Sequence, residues 1–242
     1  MSSATPIRLV VLFGGQSAEH EISLVTARHV LAACDPDRYE IVPIGITTDG
    51  RWVLAEGVQH ALEEGPAALP DALEPVGPEV GPVATVQARE HANPLAVDQT
   101  TVVFPLLHGP FGEDGTVQGL LELADVPYVG CGVLSSALAM DKIKAKEVLD
   151  VHGIAQAAYL GLHETEIDDA TTFDRIVDAL GLPVFVKPAN MGSSVGVSKA
   201  HDHAELVVAL REAAQFDEWI VVEEAITGRE IECAVLGNLA PE

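Results

Sequence analysis

The chain has 242 residues, 48% of them hydrophobic and 21% charged, which suits a soluble globular protein with one large core or two smaller ones and excludes a disordered chain. Its 37 acidic residues against 13 lysines and arginines leave a formal charge of −24. That balance argues against nucleic acid or an anionic membrane as partner, because both demand clustered cations. An anionic ligand has to be met by a few placed lysines and by backbone N–H groups.

The three cysteines, Cys34, Cys131 and Cys233, are too widely spaced for a zinc motif, and their odd number leaves no complete disulfide set, so a reducing cytoplasm fits best. The amino terminus has one arginine and an apolar run too short to span a membrane or to form a signal peptide.

In chain order, residues 7–13 (IRLVVLF) read as a buried strand, followed by Gly14 and Gly15 and a helix whose face includes Ile22, Val25, Thr26, His29 and Ala33. Residues 39–46 are a second strand. Residues 56–98 are rich in proline (Pro66, Pro70, Pro75, Pro78, Pro82, Pro94) and lack sustained periodicity, so they read as an insertion with little chemistry, with room for a short hairpin. Residues 101–107 (TVVFPLL) are a third buried strand with its own helix after it. Strand, loop, helix and strand in this order argue for an open parallel sheet with helices on its faces.

The composition changes after residues 126–132 (VPYVGCG). Ser135 or Ser136 can cap a helix running to about His152, with Gly153 as its stop signal. Thr171 or Thr172 opens another helix over 173–180, closed by Gly181 and Pro183. Residues 184–187 form a strand, 190–196 a glycine-serine loop and 197–199 a strand pairing back. A helix over 203–216 and strands over 219–224 and 229–237 follow, the last from the alternation of Ile231, Cys233 and Val235. This order suits a small α+β nucleotide-binding domain.

The most informative stretch is 108–119, HGPFGEDGTVQG. A buried strand emptying into a loop with Gly109, Gly112 and Gly115, then a helix, lets backbone approach a ligand at the carboxyl end of a parallel strand. His108, Glu113 and Asp114 can bind, orient or titrate there, and Asp114 is placed to cap the helix. An ordinary strand-to-helix turn needs the glycines and the cap, but not the histidine and glutamate.

That stretch resembles the signature of the D-alanine-D-alanine ligases, ATP-grasp enzymes of the bacterial cell wall. The resemblance extends to LFGGQSAEHEIS at 12–23, MDKIKAK at 140–146, VFVKPANMGSSVGVSK at 184–199 and VEEAITGRE at 222–230, and covers nearly all of the chain except 56–98. It implies an amino-terminal open parallel sheet with helices on both faces (residues 1–130, substrate binding), a central ATP-grasp subdomain (131–222) and the start of a carboxyl-terminal subdomain (223–242). A complete ligase of this family is expected to continue well beyond Glu242, and the segment to 242 alone is expected to be inactive.

By the same resemblance, ATP phosphorylates the carboxylate of one D-alanine, and the amine of a second attacks the acyl phosphate to make D-alanyl-D-alanine for peptidoglycan. Glu19 matches the residue that takes the first substrate's ammonium, His108 the one near its carboxylate, and Ser193 a serine hydrogen-bonded to that glutamate. Lys142 and Lys187 are implied at the ATP phosphates, with Ser193, Ser194 and Val195 in a lid over them. Glu223, Glu224, Ala225 and Ile226 are implied at the adenine edge, and Glu230 at the ribose. Magnesium or manganese ligands have no matching motif before 242, and a cytoplasmic homodimer joined through the amino-terminal domain is implied.

Read on the residues alone, other roles stay open. Lys142 also fits a solvated residue on a basic helix with Lys144 and Lys146, Glu223 and Glu224 fit solvent-facing charge at a strand end, and Glu19 fits a helix-dipole partner. Lys187, after the apolar PVFV and before a proline, sits in an unusual place for a solubilising side chain. His201 and His203 resemble a metal pair but lie at a helix start, where polar capping explains them. A D-alanine-D-lactate ligase and a noncatalytic nucleotide-binding fragment are the alternatives. A dinucleotide-binding dehydrogenase is excluded because LFGGQSAEHE lacks the G-x-G-x-x-G spacing.

Overall fold

A computed structural model describes residues 5–87, 100–237 and 240–241. Two four-stranded sheets organise them. The first sheet contains β1 (Ile7–Gly14), β2 (Tyr39–Ile46), β3 (Trp52–Leu54) and β4 (Thr101–Pro105) in the order β3-β2-β1-β4. β1 pairs in parallel with β2 and β4, with Val10 opposite Val42 on one side and Val103 on the other; β3 closes the edge antiparallel to β2.

β1 is buried from Leu9 onward because helices cover both faces, as an apolar parallel strand requires. Leu9, Val11 and Phe13 face α1 (His20–Ala33) and α2 (Glu56–Glu64), against Leu24, Ala27, Leu31 and Val58. Val10 and Leu12 face α4 (Thr116–Leu123), against Val117 and Leu121. A short helix, α3 (Pro82–Gln87), precedes β4. Beyond β4, Val103 bridges Tyr128 in parallel, so residues 126–129 extend the sheet edge.

Two expectations for this half change. The buried face of α1 is His20, Ser23, Leu24, Ala27 and Leu31, while Ile22 and Val25 are exposed. Ser23 decides the phase: it accepts from Gly14 N at 2.8 Å and donates to Leu106 O at 2.5 Å, anchoring two strand ends. The segment expected to be an insertion holds α2 and a 3-10 turn over Pro66–Ala68, and Leu69 and Leu73 enter the core beside them. Residues 88–99, with Pro94, lie outside the described residues.

The second sheet is antiparallel, ordered β5-β8-β6-β7, from β5 (Tyr159–His163), β6 (Val184–Pro188), β7 (Ser198–Ala200) and β8 (Trp219–Glu224). Alternation divides its faces. Leu162, Val184, Val186, Ile220 and Val222 pack on Phe173 and Ile176 of α7 (Ala170–Leu180) and on Leu206, Ala209 and Leu210 of α8 (His203–Ala213). The other face places Tyr159 and Val221 against Ile143 of α6 (Lys142–Val151).

The single helix expected from Ser135 or Ser136 to His152 is two, α5 (Val133–Met140) and α6. Asp141 breaks it: its backbone is extended, and its carboxylate accepts from Ile143 N at 2.9 Å and Lys144 N at 3.0 Å. α7 starts earlier than expected because Asp169, not a threonine, caps it by accepting from Thr171 N. The strand expected over 229–237 is absent; those residues are exposed and pair with no strand among the described residues, and alternation without a partner leaves the backbone unladdered. At α8, Asp202 is the cap, the His201 backbone N donates to Glu205, and the His203 ring packs on Phe173 at 4.5 Å.

Candidate active site

Three loops and the start of α6 converge between the two sheets. The first loop follows β1 into α1. Ser17 Oγ accepts from Glu19 N at 3.2 Å and donates to His108 O at 2.7 Å, so the first loop is tied to the second, which follows β4. Glu19, at the start of α1, is only 8% exposed.

Gly109 (φ +68°) and Gly192 bring two backbones against the Glu19 carboxylate. A Cβ on Gly192 would lie 2.9 Å from Glu19 Oε2, and one on Gly109 would collide with the same atom. His108 Nε2 lies 3.0 Å from Thr26 Oγ1 on α1, Glu113 accepts from Gly109 N at 2.7 Å, and Asp114 accepts from Phe111 N and Thr116 N.

The third loop is the glycine-serine segment after β6. Ser193 and Ser194 both have positive φ (45° and 60°), a conformation that costs non-glycine residues energy and persists only where the surroundings enforce it. Turns from Val195 N to Gly192 O and from Val197 N to Ser194 O hold it. From this loop Ser193 Oγ donates to Glu19 Oε1, joining residues 174 positions apart and linking the two sheets.

At the base of that loop, Lys142 Nζ, half-buried, donates to Met191 O and, at 3.3 Å, to Ala189 O. Burial, and next the Lys187 ammonium, push the Lys142 pKa below the ordinary lysine value despite the opposing pull of Glu223, Asp217 and Asp141. Asp217 steadies the same turn by accepting from Asn190 N at 2.7 Å and Asn190 Nδ2 at 2.9 Å.

Lys187 donates to Glu223 Oε2, and Lys146 lies 3.1 Å from Glu223 Oε1. Burial alone would raise the Glu223 pKa; the hydrogen bonds and charges of Lys187 and Lys146 outweigh it and hold the group below its usual value. Glu223 is therefore neither solvent-facing nor free. Glu224 does differ from its neighbour: its carboxylate accepts from Ala158 N at 2.8 Å, and Ala225 N donates to Pro183 O at 3.2 Å. Ile226 and Glu230 are exposed, away from the cluster's hydrogen bonds.

The structure thus brings together Glu19, His108 and Ser193, and beside them Lys142, Lys187 and Glu223. Sequence reasoning missed Ser17, Thr26, Asp217 and Lys146. Only Lys146 carried a signal: it stands four residues after Lys142 on one helix face, whereas Lys144 points elsewhere and pairs with Glu147 in solvent. Among the described residues no three His, Cys, Asp or Glu side chains gather as a metal site. Among them, too, no helix is long and apolar enough to cross a membrane.

Comparison with known proteins decides the family. The model described as D-ala D-ala ligase N-terminus matches residues 8–131, and that described as D-ala D-ala ligase C-terminus matches 148–242. The chain belongs to the D-alanine-D-alanine ligase family. It is 47% identical over 237 residues to the D-alanine-D-alanine ligase of Caldicellulosiruptor bescii, covering 97% of this chain and 64% of that protein. It is 46% identical over 250 residues to that of Acetivibrio thermocellus, covering 97% and 66%. The chain spans about two thirds of the length of these relatives.

Among solved structures, the D-alanine-D-alanine ligase of Coxiella burnetii superposes with a TM-score of 0.79 at 36% identity, covering 97% of this chain and 68% of that one. The VanG D-Ala:D-Ser ligase of Enterococcus faecalis superposes with a TM-score of 0.77 at 35% identity, covering 98% and 68%. These matches agree with the α/β reading of the first sheet and with the ATP-grasp assignment of the second.

Proposed function

We propose that the chain carries the ATP site and the first-substrate site of a cytoplasmic, ATP-dependent ligase that joins two D-alanines. The observation that carries this reading is the hydrogen bond from Ser193 to Glu19, which links the glycine-serine loop of one sheet to a buried carboxylate of the other. Glu19 takes the ammonium of the first D-alanine, and His108, braced by Thr26, faces its carboxylate. Lys142 and Lys187 meet the ATP phosphates, with Ser193, Ser194 and Val195 closing over them. Glu223 reads the adenine edge with the backbone through Ile226, and Glu230 takes the ribose.

The work of these residues is positioning and charge stabilisation. The substrate carboxylate oxygen attacks the terminal phosphorus of ATP, ADP leaves, and an acyl phosphate forms. The amine of the second D-alanine then attacks the acyl carbon and releases phosphate, which yields the dipeptide. Both lysines are held by protein acceptors, so binding ATP exchanges those contacts for phosphate oxygens. A lowered Lys142 pKa and a buried Glu19 suit a site where charge is met by charge and not by water.

The division proposed is a substrate domain to about residue 130 followed by ATP-grasp subdomains; β8 runs across the 222/223 boundary. Pairing through the amino-terminal domain is supported by Ile22 and Val25, each 53% exposed on one side of α1. Titration of ATP and D-alanine onto the purified chain tests the reading. Lys187→Ala should weaken ATP by roughly tenfold or more and leave D-alanine binding unchanged. Equal ATP affinity in the variant overturns the phosphate assignment. In the full-length ligase that contains this chain, phosphate release that requires D-lactate or D-serine beside D-alanine would move the second substrate to one of those.

A further inference from the structure

Lys146 is not a surface lysine. Its side chain is 13% exposed, its ammonium lies 3.1 Å from Glu223 Oε1 and 5.1 Å over the Tyr159 ring, and Gln156 Oε1 and Ala157 O stand at 3.5 Å. Two elements fix it. Gln156 Nε2 returns a bond to Lys146 O at 2.8 Å and donates to Asp150 at 2.6 Å, and Tyr159 Oη donates to the same carboxylate at 3.0 Å, so α6 is stapled to the strand that brings Tyr159. Tyr159 and Phe185 stand directly opposite Glu223 in the sheet register, which places all three on the face that also carries Lys187.

Glu223 therefore has one lysine on each oxygen. The two lysines are not equivalent. Lys187 lies toward the glycine-serine loop and, in the functional reading above, turns to the phosphates when ATP binds. Lys146 is held by α6 and Tyr159 and stays. An ionised carboxylate only accepts hydrogen bonds, whereas a protonated one also donates. Glu223 is 9% exposed, so without a retained cation burial would favour the protonated form.

We propose that Lys146 is a positioning residue that keeps Glu223 an ionised, acceptor-only carboxylate after Lys187 leaves it, and so selects a purine with a 6-amino donor over one with a 6-oxo acceptor. The inference rests on the ATP-site reading above. The oxygen vacated by Lys187 receives the 6-amino N–H. A 6-oxo group there meets a second acceptor, and two facing acceptors in a desolvated site repel.

The test is equilibrium titration of ATP and of inosine triphosphate, whose base carries a 6-oxo group, onto the chain and three variants, with a thermal melt of each. The unsubstituted chain should prefer ATP. Lys146→Met, which keeps an apolar stem of similar length, should compress the ATP-to-inosine-triphosphate preference by roughly tenfold or more, and Lys146→Arg should retain it. Glu223→Gln, whose amide both donates and accepts, should compress the preference with Lys146 intact, so the proposal stays testable if the Lys146→Met protein does not fold.

A Lys146→Met variant with a lower melting temperature but an unchanged preference makes Lys146 a structural staple and overturns the inference. An unchanged preference in Glu223→Gln overturns it as well, because Glu223 then does not read the base. The first result leaves the ATP-site reading standing; the second leaves its phosphate contacts standing and withdraws Glu223 from the adenine edge. Failure of the unsubstituted chain to bind either nucleotide overturns that reading and the inference with it.

Discussion

Glu19 and Glu223 show how one residue type is put to two uses by its neighbours. Glu19 is buried with a hydroxyl, Ser193, on one oxygen, and Gly109 and Gly192 leave the other close to backbone with no side chain between. Among the described residues no lysine pairs with it, so a substrate ammonium can take that place. Glu223 already has two ammonium partners and is tuned to remain charged. Glu19→Gln keeps the shape and removes the charge. In calorimetric titrations D-alanine affinity should fall by about the worth of a charge-assisted hydrogen bond, on the order of 1.5–3 kcal/mol or roughly ten- to a hundredfold, with ATP affinity little changed. An unaltered D-alanine affinity with a slightly lower melting temperature would reduce Glu19 to a helix-dipole partner worth about 0.3–1 kcal/mol.

At the scale of elements, α6 is the piece on which the ATP site depends. It carries Lys142 at its first position and Lys146 one turn later, both turned to the sheet, and Ile143 between them seats the helix on Val221 and Tyr159. Its start is set by Asp141, which satisfies two N–H groups that no helical carbonyl reaches. Asp141→Ala should cost about 1 kcal/mol in a thermal or denaturant melt and also weaken ATP, because fraying the first turn displaces Lys142. Stability lost with ATP affinity fully kept would show that the sheet, not the cap, positions the lysine.

At the scale of the whole molecule there are two bodies with separate cores. Leu210 and Ile176 belong to the core of the second sheet and Leu31 and Phe13 to that of the first, and the two sets share no residue. The loops between them meet at the Glu19 and Ser193 contact. Leu210→Ala, a fully buried deletion, should destabilise by about 2–5 kcal/mol. Hydrogen exchange should locate the loss in β5, β6, β8 and α8, with protection of β1, β2 and β4 retained. Equal loss of protection in both sheets would mean that the bodies unfold as one unit.

Where hydrophobic runs are local and unbroken, the sequence alone determined the outcome. Residues 7–13, 39–46 and 101–105 are strands because a buried parallel strand is apolar along most of its length, the expected run to 107 ending two residues early, and the glycine loops after them were legible because close backbone approach requires glycine. Trp219–Glu224 was legible from its short apolar run, Ile220 to Val222, although its sheet is antiparallel. Phase and pairing were decided only by the tertiary structure. α1 has two apolar stripes, and the one bearing Ser23 faces inward because its hydroxyl satisfies Gly14 N and Leu106 O, a bond partner 83 residues away. The alternation of 229–237 reads as a strand in isolation, but a strand exists through its ladder, and none forms there among the described residues. Lys146 and Glu223 are 77 positions apart by number and adjacent in space. Long-range charge pairing of that kind depends on which helix face meets which strand face, and spacing along the chain does not encode it.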